Sequence, residues 1–109
     1  MLDFKLFLDD IRQPASDGWL IARSYEDAVN IIKILGLPKI ISFDHDLGTD
    51  KTGLDLAKFI VEYDMLHNEI DETFVFTVHS ANPVGAKNIE SYLNSYLKFK
   101  NVKAPNSEI

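Results

Sequence analysis

The chain has 109 residues, a formal charge of −6 and 46% hydrophobic residues, which suits one domain around one buried core. The acidic balance argues against a general binder of DNA or RNA, which needs a basic face to displace counterions from phosphates. With no Cys there is no disulfide, thiolate zinc site or Cys nucleophile, and no apolar run approaches the roughly 20 residues of a membrane helix.

Phe4 to Leu8 (FKLFL) is a short apolar run that stops at Asp9-Asp10, the pattern of a buried strand. The stretch IRQPASDG reads as a loop by its Pro, Ser, Asp and Gly, and Trp19 to Ala22 (WLIA) as a second strand. Ser24 followed three residues later by Asp27 makes a near capping box for YEDAVNIIKIL, whose Ala28, Ile31, Ile32 and Leu35 form one apolar stripe. Gly36 and Pro38 end that helix. KIISF is the next strand, followed by Asp44-His45-Asp46 and the polar loop GTDKT. A helix is predicted from Gly53 to about His67, with Leu56, Ile60 and either Tyr63 or Asp64 on its inner face. NEIDE connects to TFVFTV, a β-branched and aromatic strand that runs into His79-Ser80. Asn82 and Pro83 are an N-cap and first-turn pair for a last helix reaching about Phe99, its face marked by Ile89, Leu93, Tyr96 and Leu97. The domain is expected to occupy residues 1–100, with residues 101–109 a loose tail.

Strands alternating with helices argue for an α/β domain: a parallel sheet with helices on both faces. Each polar cluster directly follows an apolar strand, and open α/β sheets bind ligands at the carboxyl ends of their strands. Asp9-Asp10, Asp44-His45-Asp46 and His79-Ser80, distant in sequence, are therefore expected to meet at one sheet edge. Any one cluster is as readily a helix cap or an Asx-turn. Together they suit two chemistries, which can coexist. Asp9, Asp10 and Asp44 are candidate oxygen ligands for a cation such as Mg²⁺, with His45 or His79 moving the preference toward Mn²⁺ or Zn²⁺. His45 and His79 are equally a candidate general acid and base, with nearby carboxylates favouring the imidazolium form.

Phosphate is the group this edge suits. The Asn82-Pro83 helix start offers free N–H groups and the positive end of a dipole, and Ser80 a hydroxyl. Arg12 and Arg23 can clamp an anionic oxygen, or equally pair with the surplus carboxylates. Lys51, Lys87 and His67 read as solvated residues, and Ser80 as a nucleophile is the weaker idea because the chain lacks a G-x-S-x-G turn.

The motifs LDDIRQP, DGW, ISFDHDLG and HSANPVGAKNI resemble the cyclic-phosphate processing receiver-like family, a variant of the response-regulator receiver fold found in bacterial and phage proteins. The resemblance runs from Leu8 to about Ile89. It implies a single doubly wound, mainly parallel sheet of about four strands in the order 2-1-3-4, receiver- or flavodoxin-like but truncated. It also implies processing of cyclic phosphates such as 2′,3′-cyclic RNA ends. Asp9 and Asp10 match the receiver's cation-binding acidic pair, Asp44 its phosphoacceptor and Ser80 its Ser/Thr. His45 and His79 match the variant family's added histidines, and Arg12, Asp46, Asn82 and Gly85 also fall on its motif positions. Two departures from ordinary receivers stand out. Residues 9–18 are too few for the usual helix between strands one and two. No clear fifth strand carries the receiver Lys, for which Lys103 is a poor substitute, so a phosphorelay role is disfavoured.

The leading expectation is a cytoplasmic phosphoesterase acting on a cyclic phosphate of a nucleotide or RNA end, of bacterial or phage-infected cells. Its catalytic residues would be His45, His79 and Asp44. Arg12, Arg23, Ser80 and Asn82 would hold substrate, and a divalent cation (Mg²⁺ or Mn²⁺) would sit on Asp9, Asp10 and Asp44. The alternative is a receiver-like module that binds a phosphorylated ligand, or docks on a partner, without turnover.

Overall fold

The computed structural model describes residues 3–102. Lys103 and most of the expected tail lie outside them. The described elements are β1 (Lys5–Leu8), β2 (Trp19–Ala22), α1 (Tyr25–Leu35), β3 (Ile40–Phe43), α2 (Gly53–His67), β4 (Val75–Val78) and α3 (Pro83–Phe99). The four strands form one sheet in the order β2-β1-β3-β4 with every pairing parallel, a truncated receiver-like α/β architecture. No described helix is long and apolar enough to cross a membrane.

Helix starts follow the capping chemistry of the sequence. The Ser24 hydroxyl accepts the Asp27 N–H at 3.1 Å. Asp27, one methylene shorter than Glu, accepts from the Arg23 N–H at 3.2 Å rather than from the cap residue itself. In α2 the Asp55 carboxylate accepts the Thr52 N–H at 2.8 Å, a box the sequence reading passed over. Asn82 caps α3 as expected, its Oδ1 accepting the Gly85 N–H at 3.0 Å with Pro83 in the first turn.

The strand register divides the sheet into two unlike faces. Leu6, Leu8, Ala22, Ile41, Phe43 and Phe76 point to one side and join a single buried cluster with Ala28 and Ile32 of α1, Leu56 and Ile60 of α2, and Ile89, Leu93 and Leu97 of α3. All three helices therefore pack on that side, α2 between α1 and α3. The opposite face carries Phe7, Trp19, Ile21, Ile40, Ser42, Val75 and Thr77, none of them in the cluster. Here the structure departs from the expected helices on both faces. The winding still reverses between β1 and β3, but the crossover over the second face is the loop of residues 9–18, too short to hold a helix.

Candidate active site at the carboxyl edge of the sheet

The site begins where the strands stop. The parallel ladder continues one residue beyond each strand: Asp9 N–H donates to Ala22 O at 3.1 Å, Asp44 N–H to Leu8 O at 2.9 Å and His79 N–H to Phe43 O at 2.9 Å. Three chain segments are thus locked side by side at the point where the winding reverses, the place where α/β sheets open a crevice. Strand alternation then decides which side chains meet. Asp9 follows Phe7, Asp44 follows Ser42 and His79 follows Thr77 at a spacing of two, so all three project toward the face without helices.

They form one cluster. Asp9, Asp44 and His79 each offer a ligand atom within 4.8 Å of the others. Asp9 is fully buried. Its Oδ1 accepts the backbone N–H groups of Ile11 (3.0 Å) and Arg12 (2.8 Å), and its Oδ2 meets His79 Nε2 at 3.0 Å. Burial pushes the Asp9 carboxyl up, but the backbone N–H groups of Arg12 and Ile11 and the His79 imidazole outweigh it, holding it below the ordinary Asp value. Asp44, also buried, accepts the His45 N–H on Oδ1 at 2.8 Å, and its Oδ2 has no hydrogen bond. Two carboxylates and one imidazole, one carboxylate oxygen still unengaged, fit a divalent cation. Asp10 stands outside this set, against Gly48.

His79 has both ring nitrogens in use. Nδ1 lies 2.6 Å from Ser42 Oγ, and the ring stacks on Phe7 with centroids 4.5 Å apart and planes within 2°. His45 faces the other way. Its ring lies against Gly85 of α3, where an added Cβ would come within 2.4 Å of Cγ. Its Nδ1 meets Asp46 Oδ1 at 2.9 Å, Asn82 Nδ2 holds the other Asp46 oxygen at 3.2 Å, and Nε2 has no partner. These bonds, the one to His45 first, hold the Asp46 carboxyl below its ordinary value. Asp46, held in turn by Asn82, fixes the orientation of the His45 ring. The two histidines thus stand on opposite sides of the strand ends.

Beside the cluster an open cleft of about 270 Å³ is lined by Asp10, Arg12, Asp44, Asp46, Ser80 and Ala81, among others. Asp44 belongs to both cleft and cluster. Arg12 lines the cleft while its Nη1 donates to His79 O at 3.0 Å and its Nε lies 3.7 Å from Asp9 Oδ2. Arg23 does not line it; its Nη1 donates to Asp9 O (3.1 Å) and Arg12 O (2.6 Å), clipping the crossover loop to β2. Ser80 lines the cleft and accepts the Asn82 N–H at 3.0 Å. Lys51 lies over the Tyr25 ring, and His67 packs on Tyr63. Gly53 explains the tight approach of α2, since a Cβ there would lie 2.0 Å from the Asp44 carbonyl oxygen.

Sequence reasoning missed Ser42 and its neighbour Thr77, whose hydroxyl donates to Ser42 Oγ at 3.1 Å. The available signal was a lone small polar residue in the apolar run IISF.

The sequence profile of the cyclic-phosphate processing receiver domain matches residues 4–95, and the chain belongs to that family. No curated protein and no solved structure matched the chain.

Proposed function

We propose that this domain is a cation-assisted phosphoesterase that opens a cyclic phosphate on a nucleotide or RNA end, a 2′,3′-cyclic phosphate being the simplest such group. The observation that carries the reading is the convergence of Asp9, Asp44 and His79 beside a cleft walled by Arg12 and Ser80. Charge makes the cation a prerequisite. Four carboxylates (Asp9, Asp10, Asp44 and Asp46) gather here against two guanidiniums, Arg12 and Arg23, both of which already donate to backbone carbonyls. An anionic ester would be repelled until that excess is neutralised. Asp9, Asp44 and His79 would hold the ion, and the imidazole nitrogen favours Mn²⁺ over Mg²⁺. When bound, it supplies positive charge to the phosphate oxygens.

The protein's own residues supply the rest. Arg12 and the Ser80 hydroxyl bind phosphate oxygens, aided by the start of α3. Water adds to phosphorus as one ring P–O bond breaks, and His45 serves the proton that passes from the water to the departing sugar oxygen, with Asp46 holding Nδ1 so that Nε2 is the exchanging nitrogen. The cleft is small beside typical ligand pockets of roughly 300–1,000 Å³. It suits a phosphate and its sugar with the base left outside, which fits an end group.

The test is incubation with 2′,3′- and 3′,5′-cyclic nucleotides, with Mn²⁺, Mg²⁺ or a chelator. Turnover to a monophosphate is expected with Mn²⁺, and His45→Ala is expected to abolish it while cation binding persists. No product from any substrate–cation combination would sink the catalytic reading, and tight binding without turnover would establish the domain as a sequestering module instead.

A further inference from the structure

Three carboxylates line the cleft, and two of them are engaged: Asp44 accepts the His45 N–H, and Asp46 meets His45 Nδ1 and Asn82 Nδ2. The third, Asp10, has no hydrogen bond or ion pair among the described residues, and it stands outside the candidate cation cluster. Its place is nevertheless fixed by the backbone on either side. The Asp9 N–H extends the ladder to Ala22 O, and the N–H groups of Ile11 and Arg12 donate to Asp9 Oδ1. Arg23 Nη1 clasps the carbonyls of Asp9 and Arg12. Gly48, at φ 72°, keeps the space beside the carboxylate open, since a Cβ there would stand 3.3 Å from Asp10 Oδ2.

A carboxylate accepts hydrogen bonds and donates none, so what engages this one must be a donor on the ligand. With a cyclic phosphate held against Arg12 and Ser80, the rest of the cleft, about 270 Å³ in all, has room for the sugar, and the donor is then a sugar hydroxyl. By size the cleft takes a free nucleotide or the last sugar of an RNA equally well. Their chemistry at this point differs. A 2′,3′-cyclic mononucleotide keeps a free 5′-hydroxyl. At a cyclic RNA end the 5′ oxygen is esterified, so the donor is lost and a negatively charged phosphodiester takes its place. Arg12 is the single cationic side chain lining the cleft, and it already donates to His79 O, so a second phosphate would meet Asp10 without a countercharge.

We propose that Asp10 selects free cyclic mononucleotides over RNA ends, accepting the 5′-hydroxyl of the former and repelling the phosphodiester of the latter. The assignment rests on the phosphoesterase reading above and narrows its substrate. Asp10 touches the sugar and neither the cation nor the reacting phosphorus, so its effect falls on KM more than on kcat. Because its backbone is already locked, the carboxylate pays little ordering cost when the hydroxyl arrives.

The test uses the full chain with Mn²⁺ and three substrates: uridine 2′,3′-cyclic phosphate, its 5′-O-methyl ether, and a dinucleotide RNA ending in a 2′,3′-cyclic phosphate. Wild type should prefer the first over the ether by about 10-fold in kcat/KM, the worth of a hydrogen bond to a charged group. It should prefer the first over the RNA end by roughly 100-fold, because charge repulsion is added. Asp10→Asn keeps the shape and removes the charge. It should process the RNA end at least about tenfold better than wild type does, a gain that neither a lost cation ligand nor a damaged fold can produce. Its Mn²⁺ affinity by calorimetry should stay within about threefold of wild type, since no ligand is removed. Equal wild-type turnover of the RNA end and the mononucleotide, or an equal loss on all three substrates in Asp10→Asn, overturns the assignment while the phosphoesterase reading stands. No wild-type turnover of any of the three overturns it as well, and if 3′,5′-cyclic substrates are also inert the phosphoesterase reading falls with it.

Discussion

Gly85→Ala separates the fold from the site more sharply than any ligand deletion. In an ordinary helix the change is favourable, by about 1 kcal/mol in an interior position. Here the new Cβ would fall 2.4 Å from Cγ of His45 and 2.7 Å from Nδ1 and Cδ2, atoms near the root of the ring that cannot bend aside. Forcing a methyl into such a contact costs about 1–3 kcal/mol. The net is a loss of up to about 2 kcal/mol, or a Tm drop of up to roughly 10 °C for a domain of this size. If the ring instead turns out of the way, stability is spared but the His45–Asp46 bond breaks. Either route moves Asp46, whose carboxyl is held low first by the His45 hydrogen bond. The assay pairs thermal unfolding with an NMR titration of Asp46, which should shift up toward its ordinary value, and turnover should fall with it. A variant that gains about 1 kcal/mol, leaves the Asp46 titration unchanged and keeps full activity would refute the placement of His45 against α3.

At the opposite end of the molecule, buried Asp64 accepts the Tyr96 hydroxyl and the Lys100 ammonium on Oδ2, each at 2.6 Å, and the backbone N–H groups of Glu69 and Ile70 on Oδ1. Asp64→Asn should cost about 3 kcal/mol by chemical denaturation, because it strands a largely buried ammonium. Burial raises the Asp64 carboxyl, but Lys100, Tyr96 and the two N–H groups more than offset this and leave it below its ordinary value. Its contribution is therefore complete above about pH 4 and lost as pH falls below that toward the folded-state value. The acid fall in Tm should be shallower in Asp64→Asn than in wild type, and parallel curves would contradict the assignment.

The meeting of three distant segments was legible because it follows from periodicity, whereas the strand order came from the family resemblance. Apolar runs that end abruptly in charge mark strand ends, and parallel strands joined by helices place those ends together. The single helical layer was less legible. It depends on the short 9–18 loop displacing a helix from one face, and a sequence reading naturally fills both faces of a parallel sheet. Asp64 was ambiguous for a related reason. An inward carboxylate is costly until its partners arrive, and Lys100 comes from the far end of α3, beyond the reach of a helical wheel. Asp10 was grouped with Asp9 as a cation ligand because adjacent carboxylates look like a pair, yet adjacent residues leaving a strand diverge.

That divergence organises the site. Each motif is a doublet: Asp9-Asp10, Asp44-His45 and His79-Ser80. A strand turns successive side chains to opposite faces, so the first members gather on the helix-free side as the candidate cation cluster. Of the second members, His45 turns to α3 while Asp10 and Ser80 line the cleft. The separation has a chemical consequence. A histidine packed among Asp9 and Asp44 has its lone pair claimed by a proton shared with a carboxylate or by a cation, so it is poorly placed to exchange protons with an ester. A histidine held by the exposed Asp46 on the other side of β3 keeps Nε2 unengaged. On this reasoning the two histidines are not an interchangeable acid–base pair. Replacing His79 should first weaken cation binding, and replacing His45 should first stop proton transfer with the cation still bound.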